Sequence, residues 1–148
     1  MQTTKEVINE LLVEIFNRIL TIEGEALKQQ GIKLSMSEIH VLEAIQNSSD
    51  KTMTAIAQKL GITAGSLSVA INTLYQKGYV ERLADPEDRR KVLIKLQEKA
   101  EAVLKSHDEF HKQMIDAIFI DLKVEEDEVL VASLRRVAGF FKDYPVSF

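Results

Sequence analysis

The stretch from Thr52 to Leu96 leaves the chain little freedom of fold. Met53-Thr54-Ala55-Ile56-Ala57-Gln58-Lys59-Leu60 has the apolar spacing of a short helix and halts at Gly61. The three-residue turn Gly61-Ile62-Thr63 leads into a second helix, Ala64 to Lys77, halted by Gly78. A strand-like run from Tyr79 to Leu83 follows, then the tip Ala84-Asp85-Pro86-Glu87-Asp88-Arg89-Arg90, then a second strand from Lys91 to Leu96. Helix, tight turn, helix and β-hairpin is the order of a winged helix-turn-helix, whose second helix can enter a DNA major groove. The expected fold class is mainly α with a small β-hairpin wing.

Within that unit, Gly61 lets the chain leave the first helix sharply, and Thr63 can cap the second. Leu67, Ala70, Ile71 and Leu74 form the inward stripe, which turns Ala64, Ser66, Ser68, Val69 and Asn72 outward. Small and hydroxyl residues on an early helix turn let a backbone approach a groove closely, and hydroxyls and amides contact phosphates and base edges. At the hairpin tip Arg89 and Arg90 face Asp85 and Asp88. One account has Asp88 holding one arginine extended while the other reaches for the narrow, strongly negative minor groove. Arg82 and Lys91 add charge along the hairpin, so the candidate DNA contacts are Thr63, Ala64, Ser66, Ser68, Asn72, Arg82, Arg89, Arg90 and Lys91.

A net charge of −4 looks wrong for a nucleic-acid binder until it is divided along the chain. Residues 50–95 hold eight basic and five acidic side chains, a surplus of three, which leaves −7 for the remainder. Phosphate attraction depends on local patches rather than on the total, so a basic reading head on an acidic scaffold is consistent. The 148 residues and 45% hydrophobic content suit one globular domain with a real core. There is no cysteine, hence no disulfide and no thiolate metal site. No apolar run approaches the roughly 18 residues of a membrane span, and Met1 to Glu6 lacks the apolar stretch of a signal peptide. A soluble, cytoplasmic protein is expected.

Flanking segments are helical. Residues 4–29 place Val7, Ile8, Leu11, Leu12, Ile15, Phe16, Ile19, Leu20 and Ile22 at three- and four-residue steps, with Gly24 weakening the pattern and Gly31 ending it. A helix that long needs something beyond its own domain to lie against, and a partner subunit is the simplest candidate. Ser35 or Ser37 can cap the next helix, and Ser35-Met36-Ser37-Glu38 has capping-box spacing. A long helix from Glu98 to Asp121 and a last one from about Val124 to Tyr144 close the chain, the last with Glu125, Glu126, Asp127 and Glu128 crowding its first turn. One domain over 1–148 is expected, with a winged helix-turn-helix lobe at 35–96 and a helical dimerisation region at 4–29 and 98–144.

Gly78-Tyr79-Val80-Glu81-Arg82 followed by Asp85-Pro86-Glu87-Asp88-Arg89-Arg90 and Leu96 resembles the signature of the MarR family of bacterial transcription regulators. The layout resembles that family over nearly the whole chain. The resemblance implies a homodimer joined through first and last helices, bound to a pseudo-palindromic operator and usually repressing. It places Thr63, Ser66 and Ser68 in the major groove and Arg89 or Arg90 in the minor groove, with half-sites about one turn of DNA apart. Three further stretches look like the fatty-acid-synthesis repressor branch (FabT type): Ile15-Phe16-Asn17-Arg18-Ile19-Leu20 with Ile22-Glu23, Glu38-Ile39-His40, and His107-Asp108-Glu109-Phe110-His111-Lys112. That branch implies an acyl chain on acyl carrier protein as corepressor.

Two other readings use the three histidines, His40, His107 and His111. The latter two are four apart on one helix, a spacing that can chelate a metal. These positions also resemble ligands of the family's zinc-uptake repressors, which add a glutamate from the first helix. Gly24 stands at that place, flanked by Glu23 and Glu25, so no metal site is favoured and no cofactor is required. A regulator answering zinc, or another small hydrophobic ligand, is the alternative to the acyl reading. An enzyme is not expected: the zinc-protease pattern needs glutamate directly after the first histidine, where this chain has Asp108.

Overall fold

The computed structural model describes residues 1–121, 123 and 126–145. They form two compact units, Met1–Lys105 and Ser106–Phe148, with the boundary inside one long helix. In chain order the first unit holds α1 (Thr4–Asn9), a π-helical stretch (Glu10–Ile15), α2 (Phe16–Gln29), α3 (Met36–Asn47), α4 (Met53–Leu60), α5 (Ala64–Gln76), β1 (Val80–Ala84) and β2 (Val92–Leu96). Helix α6 (Glu98–Asp121) begins in the first unit and ends in the second, which also holds α7 (Glu128–Asp143). The architecture is mainly helical with one antiparallel hairpin, as the periodicities require.

Each helix of the head starts where a hydroxyl can satisfy the free amides of its first turn. Ser35 caps α3 in a full capping box, Ser35 Oγ accepting from Glu38 N at 3.1 Å while Ser35 N donates to Glu38 Oε2 at 2.8 Å. Thr52 caps α4 through Ala55 N, and Thr63 caps α5 through Ser66 N. Gly61 leaves α4 with φ of 65° and Gly78 leaves α5 with φ of 80°, a left-handed conformation that costs a side-chain-bearing residue energy and glycine almost nothing.

The core of the first unit gathers one stripe from each element. Ile39, Leu42 and Ile45 of α3, Ile56 of α4, Leu67, Ile71 and Leu74 of α5, Val80 and Ile94 of the hairpin, and Ala100 and Leu104 of α6 are all buried. At about 1.5–3 kcal/mol for each large side chain, this stripe is what holds α5 against the rest of the head. In the hairpin Val80 pairs with Leu96 and Ala84 with Val92, and Ile94 N donates to Lys51 O, so the chain before α4 extends the hairpin's second strand. The strands lie one residue later than the apolar run suggested: Tyr79 is buried before β1 starts, and Ala84 is paired.

Two further departures concern helix ends. Gly24 does not interrupt α2, which runs on to Gln29. The last helix starts at Glu128, capped by Asp127, whose carboxylate accepts from Leu130 N at 2.9 Å. Asp127 is thus the cap rather than part of the first turn, and Val124 and Glu125, where an earlier start was expected, lie outside the described residues.

Candidate nucleic-acid interface

Helix α5 presents a solvent face with a definite chemistry. Burial of Leu67, Ile71 and Leu74 leaves Ala64, Ser66, Ser68, Val69 and Asn72 exposed, the division expected from helical spacing. Thr63 Oγ1 accepts from Ser66 N at 3.1 Å and donates to Ser66 Oγ at 2.9 Å. Its hydroxyl is thereby occupied in building the helix start. Ser66 Oγ accepts in that pair, which leaves its own proton for an outside acceptor. Ser68, one residue on, is exposed as well.

The structure joins two candidate residues that lie apart in sequence. Arg82 of β1 donates from Nη2 to Asn72 Oδ1 at 2.7 Å, and its guanidinium carbon stands 5.5 Å from the centre of the Tyr75 ring. The cation over the ring face and the charged hydrogen bond hold the guanidinium beside α5. Wing and helix are therefore one surface, and the Asn72 amide carries its unused N–H donors outward.

At the hairpin tip the acidic residues shape the turn. Asp85 Oδ1 accepts from Glu87 N at 2.9 Å, and Asp88 Oδ1 accepts from Arg90 N at 3.0 Å and Arg90 Nε at 3.3 Å. The Arg90 side chain stays 92% exposed in this pairing. Among the described residues no acidic group pairs with Arg89, so Arg89 extends freely while Asp88 restrains Arg90. Lys91 is exposed beside them.

Not every basic residue of the head belongs to this surface. Lys51 Nζ donates to the Ile45 and Gln46 carbonyls and Lys59 Nζ to the Asn47 carbonyl at 2.8 Å, all at the end of α3. Lys77 Nζ reaches Glu38 at 2.8 Å and the Lys33 carbonyl at 3.1 Å, and Lys99 Nζ lies 4.4 Å from the Tyr79 ring centre. Cations at helix C-termini complement the dipole there and satisfy orphan carbonyls. Charge counting along the chain could not separate these fastening lysines from the four basic residues of the hairpin, Arg82, Arg89, Arg90 and Lys91. Burial works to raise the Glu38 carboxyl, yet the Lys77 ammonium and the Ser35 amide and hydroxyl together hold it below its ordinary value. The Thr52 amide likewise holds exposed Asp50 low.

The three histidines differ in setting. His40 is exposed on α3. On α6 His107 is buried and His111 half-buried, with ring centres 5.5 Å apart and planes at 69°. Of the glutamates flanking Gly24, Glu23 is buried, while Glu25 is exposed and pairs with Lys28 at 3.3 Å. Two histidines from one helix turn provide half of a tetrahedral zinc set.

With this geometry in place, likeness to known proteins is informative. The model of the MarR family matches residues 34–92, which span α3 to the start of β2. The regulator MhqR of Bacillus subtilis (strain 168) is 31% identical over 104 residues, covering 70% of this chain and 72% of MhqR. SarZ of Staphylococcus haemolyticus (strain JCSC1435) is 28% identical over 113 residues, covering 75% and 74%. Among solved structures, Streptococcus pneumoniae FabT in complex with DNA superposes with a TM-score of 0.85 and 32% identity, covering 94% of this chain and 98% of that one. A reading head built on α5 and a hairpin wing, in a chain this similar to known regulators, identifies a non-enzymatic, DNA-binding transcription regulator that belongs to the MarR family.

Proposed function

We propose that this regulator is a homodimeric repressor of FabT type, acting in the cytoplasm on fatty-acid synthesis genes and answering an acyl chain carried on acyl carrier protein. The observation that carries this reading is the match to DNA-bound FabT across 94% of the chain. The FabT-like stretches in α2, α3 and α6 support the same branch.

Dimerisation is supported by apolar side chains on the terminal helices. Val7, Ile8, Leu11, Leu12, Ile15 and Phe16 are all exposed at the N-terminal end, and Val129, Leu134, Phe140 and Phe141 are exposed on α7. Apolar surface of that extent marks a contact with another chain. Two heads related by a two-fold axis would meet a pseudo-palindromic operator with half-sites about one helical turn apart.

On DNA, the Ala64, Ser66, Ser68 and Asn72 face of α5 enters the major groove, with Thr63 setting the helix start close to the backbone. Arg82, steadied by Asn72 and Tyr75, and Lys91 meet phosphates. Arg89 reaches into the minor groove with Arg90 beside it. A second reading, a different small hydrophobic effector, is favoured by a cavity of about 420 Å³ in the head, lined by Ile45, Leu83, Leu93 and Leu96 with Lys51 and Lys95.

The test is fluorescence anisotropy of operator duplex titrated with the regulator, alone and with acyl carrier protein bearing chains of increasing length. Long-chain acyl carrier protein is expected to tighten binding, and the unacylated carrier to leave it unchanged. Indifference to every acyl length would remove the fatty-acid reading. Light scattering of the same sample checks the dimer, and a subunit mass at working concentration would overturn it.

A further inference from the structure

The outward face of α5 holds one residue that hydrogen-bond chemistry does not explain. Val69 is 69% exposed, the largest value of any apolar residue between α3 and the end of the hairpin. It stands one helical turn before Asn72 and next to Ser68, in the middle of the face that carries hydroxyls and an amide. An isopropyl group left in water at that position contributes nothing to the fold, because the buried stripe of α5 runs through Leu67, Ile71 and Leu74.

We propose that Val69 is a specificity-determining residue that reads thymine through its C5-methyl group in the major groove. This rests on the proposed placement of α5 in that groove. Thymine alone among the four bases combines an apolar methyl with a neighbouring O4 acceptor on its major-groove edge. Residues three apart on a helix are neighbours, so Val69 and Asn72 present an apolar surface and N–H donors side by side. The Asn72 carbonyl accepts from Arg82 at 2.7 Å, which turns its donors away from β1 and toward the groove side. Methyl against methyl, with an amide donor next to an acceptor, is the complement of thymine and of no other base. Valine is stiff at χ1, so the contact surface is already set before binding.

The experiment uses the full-length regulator and an operator duplex obtained by selection from randomised DNA. Each thymine is replaced in turn by deoxyuridine, which removes the methyl and keeps every hydrogen-bonding group. Wild type is expected to lose about 3- to 5-fold in affinity at one thymine in each half-site, the loss appropriate to uncovering one methyl. Val69→Ala is expected to bind the unmodified operator more weakly by a similar factor and to show no further loss on deoxyuridine at that position. Val69→Ala lies on an exposed face, and an unchanged melting temperature separates reading from folding. Tight wild-type binding that is insensitive to deoxyuridine throughout would overturn the assignment of Val69 while leaving DNA binding intact. So would a deoxyuridine loss of equal size in wild type and Val69→Ala. Failure of the wild type to select any duplex would instead overturn the placement of α5.

Discussion

Helix α5 and the N-terminal helical run are built from similar proportions of apolar residues and treat them in opposite ways. α5 buries Leu67, Ile71 and Leu74 completely, whereas Leu11 is 50% exposed and Phe16 56% exposed at the N-terminus. α7 resembles the latter, with Phe140 at 59%. The difference is one of neighbours. α5 is surrounded by α3, α4 and β1 of its own unit, while the terminal helices present their stripes to solvent in a single chain. Where a stripe is closed by its own chain it maintains the fold, and where it stays open it is available for assembly.

That contrast can be broken from either side. The largest effect is expected in the closed core: Ile71→Ala should cost about 2–5 kcal/mol through lost transfer energy and the cavity left behind. Denaturant midpoints measure this, and a loss well under 1 kcal/mol would show that the head is not packed as described. On the open side, Phe16→Glu combined with Phe140→Glu is expected to halve the mass seen by light scattering and to weaken operator binding at least tenfold, with the head's cooperative melt retained. Retention of the dimer mass would mean that these faces are not the contact. At the reading surface, Arg89→Ala with Arg90→Ala is expected to weaken operator binding strongly without altering stability. Each lost phosphate contact should reduce the salt slope by about one. An unchanged slope would remove the wing from the interface.

The smallest effect tests the fastening of α5 to α3 by Lys77 and Glu38. The Glu38 carboxyl is held low in the folded protein, so its pairing adds stability that is complete above the unfolded carboxyl's titration. That stability is lost as pH falls through the lowered folded value. Melting temperatures of wild type should therefore fall more steeply than those of Lys77→Met between about pH 5 and about pH 3. Parallel curves would deny the pair any role.

Much of the head was legible because its signals are local. Ser35 and Glu38, Thr52, Gly61, Thr63 and Gly78 each mark a helix end through chemistry within one turn, and each stands where its spacing placed it. The face of α5 followed from period alone. The wing registered one residue late because Tyr79 belongs to the core by side chain but not to the ladder by backbone. Helix α7 starts later than its acidic run suggested, since Asp127 serves as the cap.

Order of elements, helix boundaries and the division of α5 into inward and outward residues were determined by sequence alone, since capping, glycine conformation and helical period act between near neighbours. Which charges work at the surface was decided only by tertiary structure. Lys51, Lys59 and Lys77 close helix ends, Asp88 restrains Arg90 rather than Arg89, and Arg82 finds Asn72 ten residues earlier. A long flexible cation takes whichever carbonyl or carboxylate the fold brings within reach, and that choice is written in three dimensions rather than in spacing along the chain.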